Sequence, residues 1–149
     1  MQLPLRLKKQ PLLESVLELR FRSSDKPVAD LLPGVVFSTL SNEYNRLELL
    51  PPASIPKQFR AQDPNLPFLA THRISGDDAV VFFGDNVLGI AKPHPYQGWR
   101  DFCGRIQRFI TVVRESGIIN EIDRFSMKSV NIIPSSQGQQ LAKLALDVR

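Results

Sequence analysis

The stretch from Phe68 to Lys92, FLATHRIS-GDD-AVVFFG-DN-VLGIAK, constrains the fold more than any other part of this chain. It reads as three short strands rich in β-branched and aromatic residues. The punctuation between them, Gly76-Asp77-Asp78 and Gly84-Asp85-Asn86, has the chemistry of tight turns. Strands joined so briefly run antiparallel, because a parallel pair needs a crossover of about a dozen residues or more. The expected centre of the molecule is therefore an antiparallel meander.

Two further segments alternate with period two. In LLESVLELRFR, residues Leu13, Ser15, Leu17, Leu19 and Phe21 share one face, and Glu14, Val16, Glu18, Arg20 and Arg22 the other, the pattern of a half-buried strand. RFSMKSVNII (124–133) is a second such strand, stopped by Pro134, with Arg124 and Lys128 on one face. LAKLALDVR at 141–149 sets Leu144, Leu146 and Val148 against Lys143, Asp147 and Arg149, and reads as a last strand across the polar stretch SSQGQQ.

The helical signal is strongest over 97–115. Trp99, Phe102, Cys103, Ile106, Phe109, Ile110 and Val113 trace one stripe, and Gly117 supplies a stop. Trp99, Gly98, Phe102 and Ile106 are expected to anchor this helix. Trp99 opens the buried stripe, and Gly98 permits a close first turn. A second helix is expected at 35–44, with Val36, Leu40 and Tyr44 at helical spacing, after a short turn at 28–32 that Pro33-Gly34 interrupts. Residues 50–67 carry five prolines and read as a long extended crossover along the sheet.

The element order is β-α-β-β-β-α-β-β. It predicts an α+β fold, an antiparallel or mixed sheet of five to six strands with both helices on one face. Residues 1–10 are expected to form a flexible leader and 11–133 a single domain. Residues 134–149 would be a C-terminal extension, as a last strand or the start of a second half.

At 149 residues the chain can bury a core without staples. One Cys allows no internal disulfide and, with two His, no zinc-finger spacing. Neither a signal peptide nor an apolar run of membrane-spanning length is present, so a cytoplasmic protein with no membrane contact is expected. No cofactor or metal is expected. The net charge of +4 permits an acidic partner without requiring one.

Candidate sites come from charge patterning. Were the strands at 11–22 and 124–133 neighbours, Glu14, Glu18, Arg20, Arg22, Arg124 and Lys128 would share one sheet face. That face would be either a polar groove for an anionic or peptide ligand or a set of cross-strand ion pairs. Tyr96, just before the helical stripe, can turn its hydroxyl to a ligand. His72 and His94 have no ligand-spaced partner, and Cys103 reads as an apolar filler. Arg100, Arg105, Arg108 and Arg114 spread around the outer half of their helix. No catalytic constellation and no Gly-rich phosphate loop stands out.

PLLESVLELRF (11–21), LLPG (31–34), YQGW (96–99) and RFSMKSVNII (124–133) occur in an order that resembles a sporadically distributed bacterial protein family. Its members show P-x-x-E-x-x-x-E-x-R-F, then P-G, Y-x-G-W opening a helix, and a strand ending R-Y-I-N-x-I. The matching positions are Pro11, Glu14, Glu18, Arg20, Phe21, Pro33, Gly34, Tyr96, Gly98, Trp99, Asn131 and Ile133. Lys128-Ser129-Val130-Asn131 departs from the Arg-Tyr-Ile-Asn of the family, whose members are typically longer. The chain thus resembles an N-terminal half. The resemblance implies a fold unit and a bacterial setting, and no reaction. The leading functional expectation is a non-catalytic interaction module that forms a homo-oligomer or binds a protein partner. The alternatives are a nucleic-acid accessory protein and an enzyme using the polar groove.

Overall fold

The computed structural model describes residues 11–22 and 26–132. In chain order it contains β1 (Leu12–Arg20), α1 (Val28–Thr39), β2 (Tyr44–Leu49), the one-turn helix α2 (Lys57–Arg60), β3 (His72–Gly76), β4 (Val80–Phe83), β5 (Val87–Pro93), α3 (Trp99–Glu115) and β6 (Arg124–Asn131). The strands form one six-stranded sheet in the order β2-β3-β4-β5-β1-β6, antiparallel at every pairing. The fold is α+β, as the patterning predicts. The expected leader, the extension and the strand at 141–149 lie outside the described residues.

The meander forms where its turns are written. The Gly76 amide donates to the Ala79 carbonyl, and the Gly84 amide to the Val87 carbonyl, closing the turns that carry Asp77-Asp78 and Asp85-Asn86. Gly89 is needed for packing: a Cβ there would lie 2.3 Å from the Phe82 ring, which crosses it from the neighbouring strand. On the helix-covered face, Leu19, Leu88, Ile90, Val81, Ile74 and Phe83 meet Val28, Leu32 and Val36 of α1 and Phe102, Phe109 and Val113 of α3. That face is the core.

Three expectations are corrected. The helix expected at 35–44 runs instead from Val28 to Thr39, straight through Pro33. Proline inside a helix costs one backbone bond and about 3 kcal/mol. Burial of Val28, Ala29, Leu32 and Val36 on the sheet outweighs that cost. Tyr44 is not a helix residue. It begins β2, a strand absent from the sequence reading, and is fully buried opposite Gly76. Burial, with the charge of Glu43 beside it, pushes its phenol pKa up to about 12. The proline-rich 50–67 segment is not extended. It coils into short turns at Pro51–Ser54, Lys57–Arg60 and Leu66–Phe68. Its fixed point is Arg60, whose side chain is 8% exposed. Arg60 forms a two-pronged pair with Asp85 (2.6 and 3.0 Å) and also donates to the Pro52 and Ile55 carbonyls. This pairing raises the Arg60 pKa. The connection is thereby tied to the β4–β5 turn.

Candidate functional site

β1 and β6 are neighbours, so the charged residues picked from their alternation do share a face. Glu18 takes hydrogen bonds from Arg20 (2.9 Å) and, across the ladder, from Lys128 (2.8 Å). Burial alone would raise the Glu18 pKa, but these hydrogen bonds and charges outweigh it and hold the carboxyl below its ordinary value. A carboxylate held ionised by two cations is a poor general base. Glu14 stands further along, opposite Pro93 and Val130. The central part of this face therefore carries cross-strand ion pairing.

The arginines at the other end of the same strands are arranged differently. Arg20, Arg22 and Arg124 line a cleft of about 440 Å³ together with Phe21, Phe68, Asn86 and Asp123. The Arg20 guanidinium sits 4.5 Å from the centre of the Phe68 ring, and Arg22 pairs with Asp123 at 3.3 Å. Arg124 is exposed and has no acidic partner among the described residues.

At the start of α3 the structure contains a cluster that the sequence reading missed. Lys92 is fully buried, with Nζ 2.5 Å from Asp78, 3.0 Å from the Gln97 side-chain oxygen and 3.6 Å from Asp101. Arg105 joins it, bonding Asp78 at 3.0 Å and reaching Asp101 and Glu43 at 3.4 Å, while Arg108 holds Glu43 at 2.7 Å. Two of the four arginines of this helix are thus engaged with acids. Burial works to raise the Asp78 pKa, but the Lys92 hydrogen bond and the Arg105 charge prevail and lower it. The signal for Lys92 was present: it continues the parity of Leu88 and Ile90, which places a charge on the core face.

The YQGW segment enters this cluster through Gln97. Gly98 has φ of 114°, a left-handed conformation that favours glycine. Tyr96 packs against the core, edge-on to Phe102 with ring centres 6.2 Å apart, and burial raises its pKa. Trp99 is 57% exposed and touches Phe102 edge-on from outside. The expected roles are exchanged: Tyr96 faces inward, and Trp99 does not open the buried stripe. That stripe begins at Phe102, with Ile106 partly buried behind it.

A different surface lies between α3 and the sheet edge. Leu17, Leu19, Ile110, Val113, Ile119, Ile122 and Phe125 line an apolar groove of about 430 Å³, with Arg114 and Glu121 at its rim. Among the described residues, Ile122, Phe125, Met127, Val130 and Ile132, all exposed large apolar side chains, fall within eleven consecutive positions. The cause is geometric: α3 packs over β5, while β6 lies two strands further out, past β1.

His72 is half-buried beside the Thr71 hydroxyl (2.9 Å). Burial lowers its pKa, with Asp30, Arg60 and Asp85 as the charges around it. Unfolding therefore lets His72 take up a proton, so stability rises with pH through the interval just below about 6.5. Asp78 and Glu18 have depressed folded-state pKa values, so their contribution is present above about pH 4 and is lost as pH falls below it. Urea midpoints should therefore fall in two stages on acidification, and His72→Gln should abolish the first. A flat profile from pH 7 to 5 in the wild type would contradict this.

Among the described residues, no group of three or more His, Cys, Asp or Glu is placed to hold a metal ion, and no helix is long and apolar enough to cross a membrane. Comparison with protein-family models, curated proteins and solved structures finds no match to this chain. The fold and its surfaces define an α+β domain with one helix-covered sheet face and an apolar sheet edge.

Proposed function

We propose that this protein is a non-catalytic interaction module whose first partner is a second copy of itself, joined through β6. The apolar run on an outer strand supports the reading. Among the described residues β6 pairs on one side only, which leaves a row of backbone donors and acceptors on the other, and such an edge is a template for a further strand. Isolated apolar residues on a surface are ordinary, whereas Ile122 and Phe125 line the apolar groove and Met127 shares the face of Phe125, a grouping that marks an interaction site. The order of motifs resembling the bacterial family is compatible with this reading, in a cytoplasmic setting.

Charge narrows the register. A two-fold axis pairs β6 with its copy antiparallel, and partners must share a face. Arg124 and Lys128 lie on the face of Glu18, while Phe125 and Met127 lie on the face of Leu17 and Leu19. Centring on Ser126 would set Arg124 against Lys128, and centring on Lys128 would set that residue against itself. Centring on Met127 sets Arg124 against Val130 and Lys128 against Ser126, with Phe125 and Met127 of both copies beside the two grooves. This register opposes no like charges.

Light scattering should therefore find a dimer. Phe125→Asp should weaken it about a thousandfold, because the symmetry counts one hot-spot loss twice. Leu49→Asp, an equally exposed change on the opposite edge strand β2, should leave the dimer intact. A monomeric wild type at high concentration, or a dimer indifferent to Phe125→Asp, would overturn the reading.

A further inference from the structure

The arginine cleft is unexplained by self-association. Arg20 and Arg124 are direct partners in the β1–β6 ladder, two positive charges facing each other on one sheet face. Like charges so placed destabilise a sheet. Glu18 engages Arg20 from one side, but Arg124 has no acid among the described residues, and Arg22 adds a third guanidinium to the same cleft. Among the described residues Asp123 is the one carboxylate lining it, so the described lining carries three positive charges against one negative. Phe68 stacks on Arg20 and holds its guanidinium in one orientation.

We propose that this cleft binds a phosphoryl group. Guanidinium groups present paired N–H donors that match the oxygens of a phosphate, and a doubly charged anion between Arg20 and Arg124 turns their repulsion into shared attraction. The cavity of about 440 Å³ exceeds the volume of one phosphate and leaves room for the group that carries it. The Phe68 side chain gives that substituent an apolar wall.

The test is calorimetric titration at low salt with three probes: inorganic phosphate, a nucleoside monophosphate and a single-stranded oligothymidylate. Arg124→Glu and Arg22→Glu, both at exposed side chains, should each weaken phosphate binding about tenfold or more. Arg46→Glu, at an equally exposed arginine on β2, should not. Light scattering on each variant separates a change at the cleft from a change at the β6 edge. Oligonucleotide displaced by inorganic phosphate assigns the phosphoryl group to a nucleic-acid backbone, and phosphate binding without oligonucleotide binding assigns it to a small molecule. Absence of binding by all three probes, binding unchanged by Arg124→Glu, or equal losses from Arg46→Glu would each overturn the proposal.

Discussion

Replacing Asp78 by alanine is expected to destabilise the protein by about 3–5 kcal/mol, a fall of roughly 10 °C in Tm for a chain of this size. The variant would leave the Lys92 ammonium fully buried, with only neutral Gln97 and the more distant Asp101 to replace its closest acid. A buried charge without a close counter-charge costs several kcal/mol. Lys92→Met should cost much less, about 1–2 kcal/mol, because methionine fills much of the same volume and Asp78 keeps Arg105 at 3.0 Å. The double variant Asp78→Ala, Lys92→Met should then be more stable than Asp78→Ala alone, since the second change removes the stranded charge. Urea unfolding followed by far-UV circular dichroism gives all three values. Equal losses for the two single variants would show that Lys92 is not held by Asp78 in the way the distances imply.

How far the fold could be read in advance follows from which forces act locally. The meander was legible because turn chemistry is a local property: Gly76 and Gly84 close the same turns in the structure as in the sequence. β1 and β6 were legible because each has one wet face, and alternation records that directly. β2 was not, since Tyr44-Asn45-Arg46-Leu47-Glu48-Leu49 also suits a helix end, and its strand state is set by pairing with β3, a contact distant in sequence. Pro33 misled for the same reason: its local cost is real, but the burial that outweighs it comes from the sheet. The candidate site divided likewise. Alternation put Arg20, Arg22 and Arg124 on one face, yet whether they meet in a cleft depends on Phe68 and Asn86, which the coiled 50–67 connection and the β4–β5 turn bring to that end. The neutralised stretch around Glu18 and the uncompensated stretch around Arg124 look alike as text. They differ only in whether an acid stands across the ladder.

The sharpest reversal lies in YQGW and makes the second large prediction. Phe102→Ala should cost about 3–5 kcal/mol: its ring is fully buried, in contact with Tyr96 and Trp99, and deletion leaves a cavity between helix and sheet. Trp99→Ala should cost only about 1 kcal/mol, the value of one edge-on aromatic contact at a side chain that is more than half exposed. Helical periodicity could not separate the two. Trp99 and Phe102 are three residues apart and lie on the same side of α3, but Trp99 is its first residue, where the helix meets solvent rather than the layer of β-strand side chains that covers Phe102. A direct readout is available because Trp99 is the only tryptophan of the chain. Its native fluorescence should be quenched readily by iodide and should shift little on unfolding. Unfolding of both variants should be followed by circular dichroism, which does not depend on the indole. A shielded, blue-shifted Trp99, or a loss on Trp99→Ala as large as that on Phe102→Ala, would return the tryptophan to the core and leave Tyr96 as the outward-facing ring. With Trp99 outside, the aromatic that fixes the start of α3 is Tyr96, clamped on Phe102. The neighbouring Gly98 is then explained by its backbone, since the chain must turn through a left-handed conformation between the inward tyrosine and the outward tryptophan.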